Sequence, residues 1–211
     1  MAGNLLQQLY NIADTLIVGQ ALGRNALAAV GSAYTLMTFL TSIFLGLSMG
    51  AGALFSIYLG KNDRESLKSA VAHALCLLLA VTLVLTGAAY AAVDPFLRFL
   101  QIPDALYGSM RTYLLIIFAG LLATSLYNFF ACLLRAGGNS VTPLWFLGTA
   151  AVLNIALDLL FVLVFHWGIA GAAGATVLAQ YVSGLGLLGY SLRRCRSDLP
   201  ERRHFRFRRD I

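Results

Sequence analysis

The sequence predicts an all-α, polytopic membrane protein built as a bundle of six transmembrane helices. Hydrophobic residues make up 59% of its 211 residues and charged residues only 11%, whereas a soluble domain carries about a quarter charged residues. The mean hydropathy is +0.79. Uncharged stretches long enough to cross a bilayer, which takes about 20 apolar residues, occupy 25–60, 69–93, 112–134, 136–157 and 159–192.

Charged, glycine and proline residues set the predicted ends of each helix. The second helix should end at the polar turn 60–64, and Asp94 and Pro95 should end the third, because the residue before proline avoids helical geometry. Polar residues before Pro143 are typical of a helix start with proline in the first turn. Residues 166–168 separate the last two helices. The predicted spans are 3–22, 26–59, 66–93, 105–134, 143–166 and 169–192.

The chain divides into a six-helix transmembrane unit, residues 1–192, and a basic tail, residues 193–211. The tail holds eight arginines against three acidic residues. Its alternating basic and aromatic residues would also suit nucleic acid, but arginines after a membrane helix favour a segment held near anionic lipid. We therefore expect the lipid bilayer as a partner and no nucleic acid. Both termini should be cytoplasmic in the cell (inner) membrane, since one side holds Lys61, Arg64, Lys68, Arg135 and the tail.

Two acidic residues, Asp14 and Asp158, fall well inside the predicted spans. An ionised carboxylate at mid-membrane costs about 2.5 to 3.5 kcal/mol, and such residues usually mark ion or substrate pathways. Asn154 lies one turn before Asp158, on the same helix face. At 1.5 Å per residue, Asp14, Asp158 and Thr176 lie ~12, ~14 and ~10 Å below the outer face.

These four side chains would form an oxygen-rich layer suited to Na⁺ or to shared protons. Tyr113, at a similar depth, and Gln180 are accessory candidates, although an interfacial position also explains the tyrosine. Asn154 and Thr176, taken singly, could equally form ordinary hydrogen bonds between helices. The aspartates favour function, because intramembrane acids are rare.

Five stretches resemble the amino-terminal half of the multidrug and toxic compound extrusion (MATE) family. They are Leu-Tyr-Asn-Ile-Ala-Asp-Thr-Leu-Ile-Val-Gly at 9–19, and the segments at 26–31, 134–143, 153–158 and 171–176. The resemblance implies an antiporter that exports amphipathic, often cationic, organic compounds by alternating access. It also implies that Asp14, Asn154, Asp158 and Thr176 bind the coupling ion, Na⁺ or H⁺, with no other cofactor.

The chain departs from this family in three ways. Family members contain two six-helix lobes around a central cleft, whereas this chain ends after one lobe, where the resemblance places an interlobe linker at 193–211. The partner would then be a second six-helix lobe, either a missing carboxyl-terminal half or a second copy. The first helix also begins about a dozen residues late. Leu159 stands where many relatives have proline.

Other functional classes lack their expected motifs. A lipid-linked sugar flippase should hold diphosphate with cationic residues inside its cleft, yet no Lys or Arg lies deep in a predicted span. The GxGD motif of intramembrane aspartyl proteases is absent at both aspartates, and GxSxG, HExxH and a phosphate-binding loop are also missing. Cys76, Cys132 and Cys195 have neither disulfide nor zinc-site spacing. We therefore predict that the protein is not an enzyme, while a non-transporting membrane scaffold remains an alternative.

Overall fold

The computed structural model describes residues 2–99, 101–102 and 104–194. Within these ranges, the structure describes only the backbone, and not the side chains, of residues 2–11, 13, 14, 18, 21, 22, 24–26, 28, 29, 32, 105 and 106. Every regular element in this part of the chain is helical. The predicted all-α membrane bundle is therefore confirmed.

The first helical element, α1 (Ala2–Gly60), corresponds to two predicted helices. It breaks at Gly23, whose φ of 84° lies in the left-handed region that favours glycine. The break falls between the predicted spans 3–22 and 26–59. Helix α1 then ends at the polar turn before α2 (Arg64–Phe99), where the Ser66 N–H donates to the Asp63 carboxylate at 3.1 Å. This turn was predicted correctly.

Helix α2 continues through Pro95 to Phe99, so the prediction that Asp94 and Pro95 end the helix was wrong. Proline removes one helical hydrogen bond, but only one further turn follows it here. Leu97, in that turn, is fully buried, and Arg111 from the next helix donates to the Asp94 carboxylate at 2.9 Å. These contacts stabilise the extra turn and offset part of the local cost of proline.

The fourth predicted helix, 105–134, is present as two consecutive parts, α3 (Asp104–Ala119) and α4 (Leu121–Ala136), separated at Gly120. Helix α5 (Val141–Asp158) continues into a π-helical turn, Leu159–Val164, and α6 (Gly168–Arg194) returns across the bundle. Five helical stretches of the described residues are long and apolar enough to span a membrane: Ala33–Gly60, Arg64–Phe99, Tyr107–Ala136, Val141–Val164 and Gly168–Arg194. The amino-terminal part of α1, before the break at Gly23, corresponds to the first predicted helix, 3–22.

Helix α6 lies at the centre of the packing, against α3, α4 and α5, while α1 packs mainly on α4, α2 and α5. Aromatic rings fill the space between α1 and α4, where Phe55 and Phe129 meet edge to face at 5.7 Å. Large apolar side chains on the outside, such as Phe39, Leu83 and Trp145, are exposed, as expected for surfaces in contact with lipid. The bundle thus buries the facing sides of α5 and α6, which carry the predicted site.

Candidate functional site

The α5 part of the candidate site consists of Asn154 and Asp158. Both side chains are completely buried, at 0% exposure. They lie four residues apart on one helix and therefore project from the same face. Asp158 is also the last residue of α5 before the π-helical turn. A buried carboxylate thus lies one turn from a buried amide, at the end of the regular helix.

The α6 part consists of Thr176, which is 7% exposed. Asn154 Nδ2 donates to Thr176 Oγ1 at 3.3 Å, and Thr176 Oγ1 donates to the Ala172 carbonyl at 3.1 Å. Buried alanines surround this contact on α6, namely Ala172, Ala173 and Ala175. Because small side chains let helices approach closely, the alanine-rich start of α6 brings its hydroxyl within reach of α5.

This hydrogen bond determines which atoms remain available for a cation. Asn154 uses its amide N–H group, so its acceptor atom Oδ1 is left facing the interior. Oδ1 is buried and has no hydrogen-bond partner among the described residues. A buried acceptor without a partner costs about 1 to 3 kcal/mol, and a bound cation or a proton donor would remove that cost. Together with Asp158 it supplies the hard oxygen ligands that Na⁺ prefers.

Asp14 belongs to the amino-terminal part of α1, an element that packs against α5 and α6. Its side chain lies outside the described residues. The meeting of Asp14 with Asp158 therefore stays a prediction. Of the other three predicted residues, the structure brings Asn154 into contact with Thr176, and Asp158 lies one turn from Asn154 on the same helix.

The two accessory candidates, Tyr113 and Gln180, occupy different surroundings. Tyr113 on α3 is buried at 6% exposure and belongs to the apolar core. Gln180 lies one turn after Thr176 on α6. Its Oε1 is buried without a hydrogen-bond partner among the described residues, and it sits against Gly120, where an added methyl group would collide with it.

Gly120 and the π-helical turn are site features that the sequence predictions missed. Gly120 separates α3 from α4 and leaves the space that Gln180 occupies. A glycine in the middle of the predicted helix 105–134 was the available signal. The π-helical turn has no comparable signature in composition, since Leu159–Val164 consists only of apolar residues that are equally typical of an α-helix.

A bundle of membrane-spanning helices with a buried layer of carboxylate, amide and hydroxyl groups is an arrangement typical of ion-coupled membrane transporters. The family model described as MatE matches residues 1–160. The chain belongs to this family, as the resemblance predicted, and members of the family are transporters rather than enzymes.

Similar proteins agree with this assignment. The chain is 36% identical over 193 residues to "Probable multidrug resistance protein YpnP" of Bacillus subtilis, which covers 92% of this chain and 43% of that protein. Among solved structures, it matches the outward-facing conformation of a multidrug resistance MATE family transporter with a TM-score of 0.90 at 27% identity, over 99% of this chain and 46% of that one. An inward-facing conformation of such a transporter matches with a TM-score of 0.89 at 26% identity, over 96% and 46%. The chain spans about half the length of the relatives it matches.

Proposed function

We propose that this chain is one lobe of a Na⁺- or H⁺-coupled antiporter that exports amphipathic, often cationic, organic compounds. Asp158, Asn154 and Thr176, together with Asp14, would bind the coupling ion. The supporting observation is the hydrogen bond from Asn154 to Thr176, which leaves Asn154 Oδ1 as a buried acceptor one turn from the buried Asp158 carboxylate.

Alternating access would need a second six-helix lobe, since the relatives are about twice as long as this chain. This chain matches about half of each solved transporter chain, and the match is almost equally good for an outward-facing and an inward-facing conformation. This supports a lobe that moves as a rigid body against its partner. Cation binding would change the charge of the lobe and so the conformation it prefers. The termini would be cytoplasmic, beside the basic helix ends.

The proposal is tested by cation binding to the purified chain in lipid nanodiscs. A carboxylate about 4 Å from a cation contributes ~4 kcal/mol at an effective dielectric constant of ~20. Asp158→Asn should therefore weaken Na⁺ binding by more than about a hundredfold. If the coupling ion is H⁺, the same change should abolish the proton-dependent signal. Asp14→Asn should do the same. Asp104→Asn, which changes an exposed acid in the first turn of α3, is the matched control.

Isothermal titration with NaCl, and a pH titration without Na⁺, would measure these effects. Unchanged binding in both aspartate variants would refute the site and would favour a non-transporting scaffold. The same chain in proteoliposomes should extrude no substrate unless it dimerises or receives a second lobe. Robust extrusion by a proven monomer would contradict the two-lobe requirement.

A further inference from the structure

Helix α5 changes from α-helical to π-helical geometry directly after Asp158. In the segment Leu159–Val164 the hydrogen bonds span five residues, as in the 2.9 Å bond from the Phe165 N–H to the Leu160 carbonyl. A π-helical turn accommodates extra residues compared with an α-helical turn, and each residue of an α-helix corresponds to about 100° of rotation. The π-helical turn therefore sets the rotation between the helix face that carries Asp158 and the residues that follow the turn.

An aromatic cluster holds the outer end of this turn. The rings of Phe161, Phe165 and Trp167, which we term the aromatic clamp, lie 4.9 to 6.0 Å apart between centroids. The backbone N–H of Trp167 also donates to the backbone carbonyl of Phe161 at 2.9 Å. Ring contacts of this kind stabilise the cluster beyond the effect of the buried area alone. The clamp thus ties the last part of the π-helical turn to the loop before α6.

The aromatic clamp rests on Gly171 in the first turn of α6. A methyl group at Gly171 would lie 3.0 Å from Trp167 Cβ, 3.1 Å from Phe161 Cβ and 3.2 Å from the Phe161 carbonyl oxygen. Each of these atoms is fixed by the backbone, so none can move away without shifting the chain. Gly171 precedes Thr176 by five residues on the same helix. The close contact therefore fixes the π-helical turn against the first part of α6, the helix that carries Thr176.

We propose that Phe161 and Gly171 are positioning residues for the cation site, acting through the π-helical turn to orient the Asp158 carboxylate towards Asn154 and Thr176. This inference rests on the proposed function, because it concerns the same cation site. If the aromatic clamp only packs the outer end of the bundle, its loss lowers thermal stability and leaves the cation affinity unchanged. If it orients Asp158, the cation affinity falls even in variants that stay folded.

Two variants and two matched controls separate these roles. Gly171→Val forces the clamp away from α6, whereas Phe161→Leu removes the ring but keeps Cβ, and is the milder change. Gly174→Val is the glycine control, since nothing lies within 4 Å of a methyl group there. Phe39→Leu, at a residue of α1 that is 64% exposed, is the phenylalanine control. Folding is checked by size-exclusion chromatography and circular dichroism.

Two quantities are measured by calorimetry: the midpoint of the Na⁺ titration and the midpoint of the pH titration. In a Trp145→Phe background Trp167 is the remaining one of the two tryptophans, so its emission reports the clamp directly. Mutations of groups that orient ligands typically cost about 10- to 100-fold in ion affinity. We expect that loss in both variants and in neither control. Na⁺ should also change Trp167 emission in the Trp145→Phe background, and the two clamp variants should lose this change.

A midpoint that shifts by less than about fivefold in either folded variant, below the range typical of orienting groups, overturns the proposal. Asp158→Asn distinguishes this outcome from failure of the proposed function. If Asp158→Asn abolishes binding while Gly171→Val and Phe161→Leu keep it, the cation site stands and the clamp is only structural. If Asp158→Asn keeps binding, the cation site itself is wrong.

Discussion

Gly184 lies at a close approach of α6 to the backbone of α4, and its replacement by alanine tests how the bundle is held together. A methyl group at this position would lie 2.6 Å from the Ala123 carbonyl oxygen and 3.3 Å from the carbonyl carbon. Both atoms belong to the backbone of α4. No side-chain rotation relieves the collision, so Gly184→Ala must move one helix away from the other.

The size of the effect follows from two opposing contributions. A Cβ atom in ordinary van der Waals contact lies 3.4 to 4 Å from its neighbour, so the helices must separate locally by roughly 0.8 Å. Overpacking of this kind typically costs about 1 to 3 kcal/mol, while alanine in place of glycine within a helix returns at most about 1 kcal/mol. Because packing is the main force between membrane helices, the collision should dominate, with a net loss of about 1 to 2 kcal/mol.

Thermal unfolding in detergent, followed by circular dichroism, would measure this loss. For a protein of about 200 residues, 1 kcal/mol corresponds to about 2 to 4 °C in melting temperature, so Gly184→Ala should melt about 2 to 8 °C below the wild type. Gly174→Ala on the same helix, where nothing lies within 4 Å, should melt at or above it. Equal melting temperatures for the two alanine variants would refute the close approach of α4 and α6.

Two smaller effects are expected at the ends of helices. The Ser66 side chain and N–H donate to Asp63 and hold the pKa of its carboxyl below the usual value. Since that pKa is depressed on folding, its stabilising effect is present above about pH 4 and is lost as the pH falls through the folded value; melting curves of wild type and Asp63→Asn should converge in acid. At the other end of α2, the Arg111–Asp94 ion pair has side chains 46% and 45% exposed, so Arg111→Gln should cost at most about 1 kcal/mol. That cost should shrink at high salt, and a large loss that is independent of salt would contradict a surface ion pair.

Much of the fold could be predicted from the sequence, because uncharged runs between charge clusters leave few choices for where helices cross a bilayer. The errors lie where the sequence is uniform or where tertiary contacts override a local preference. The break at Gly120 lies inside a continuous apolar run. Asp94 and Pro95 were expected to end α2, but burial of Leu97 and the contact from Arg111 extend it.

The candidate site was predictable in one dimension only. Counting residues gives depth, because each helical residue advances ~1.5 Å, and this placed Asp14, Asp158 and Thr176 in one predicted layer, with Asn154 on the same helix face as Asp158. Depth does not say which helices are neighbours. Helices α5 and α6 are joined by a short loop and pack against each other, which brings Asn154 and Thr176 to 3.3 Å. Asp14 comes from a distant part of the chain, so no short connection determines its neighbour.

The chain spans about half the length of the relatives it matches, and the proposed function then separates two properties that a two-lobe transporter combines. All four residues predicted to bind the coupling ion belong to this one lobe, and the three with described side chains lie within a pair of adjacent helices that needs no second lobe to form. A central cleft, by contrast, requires surfaces from both lobes. Cation binding should therefore persist in the isolated chain, whereas substrate export should require a partner, because a conformational change within one lobe has nothing to open or close against.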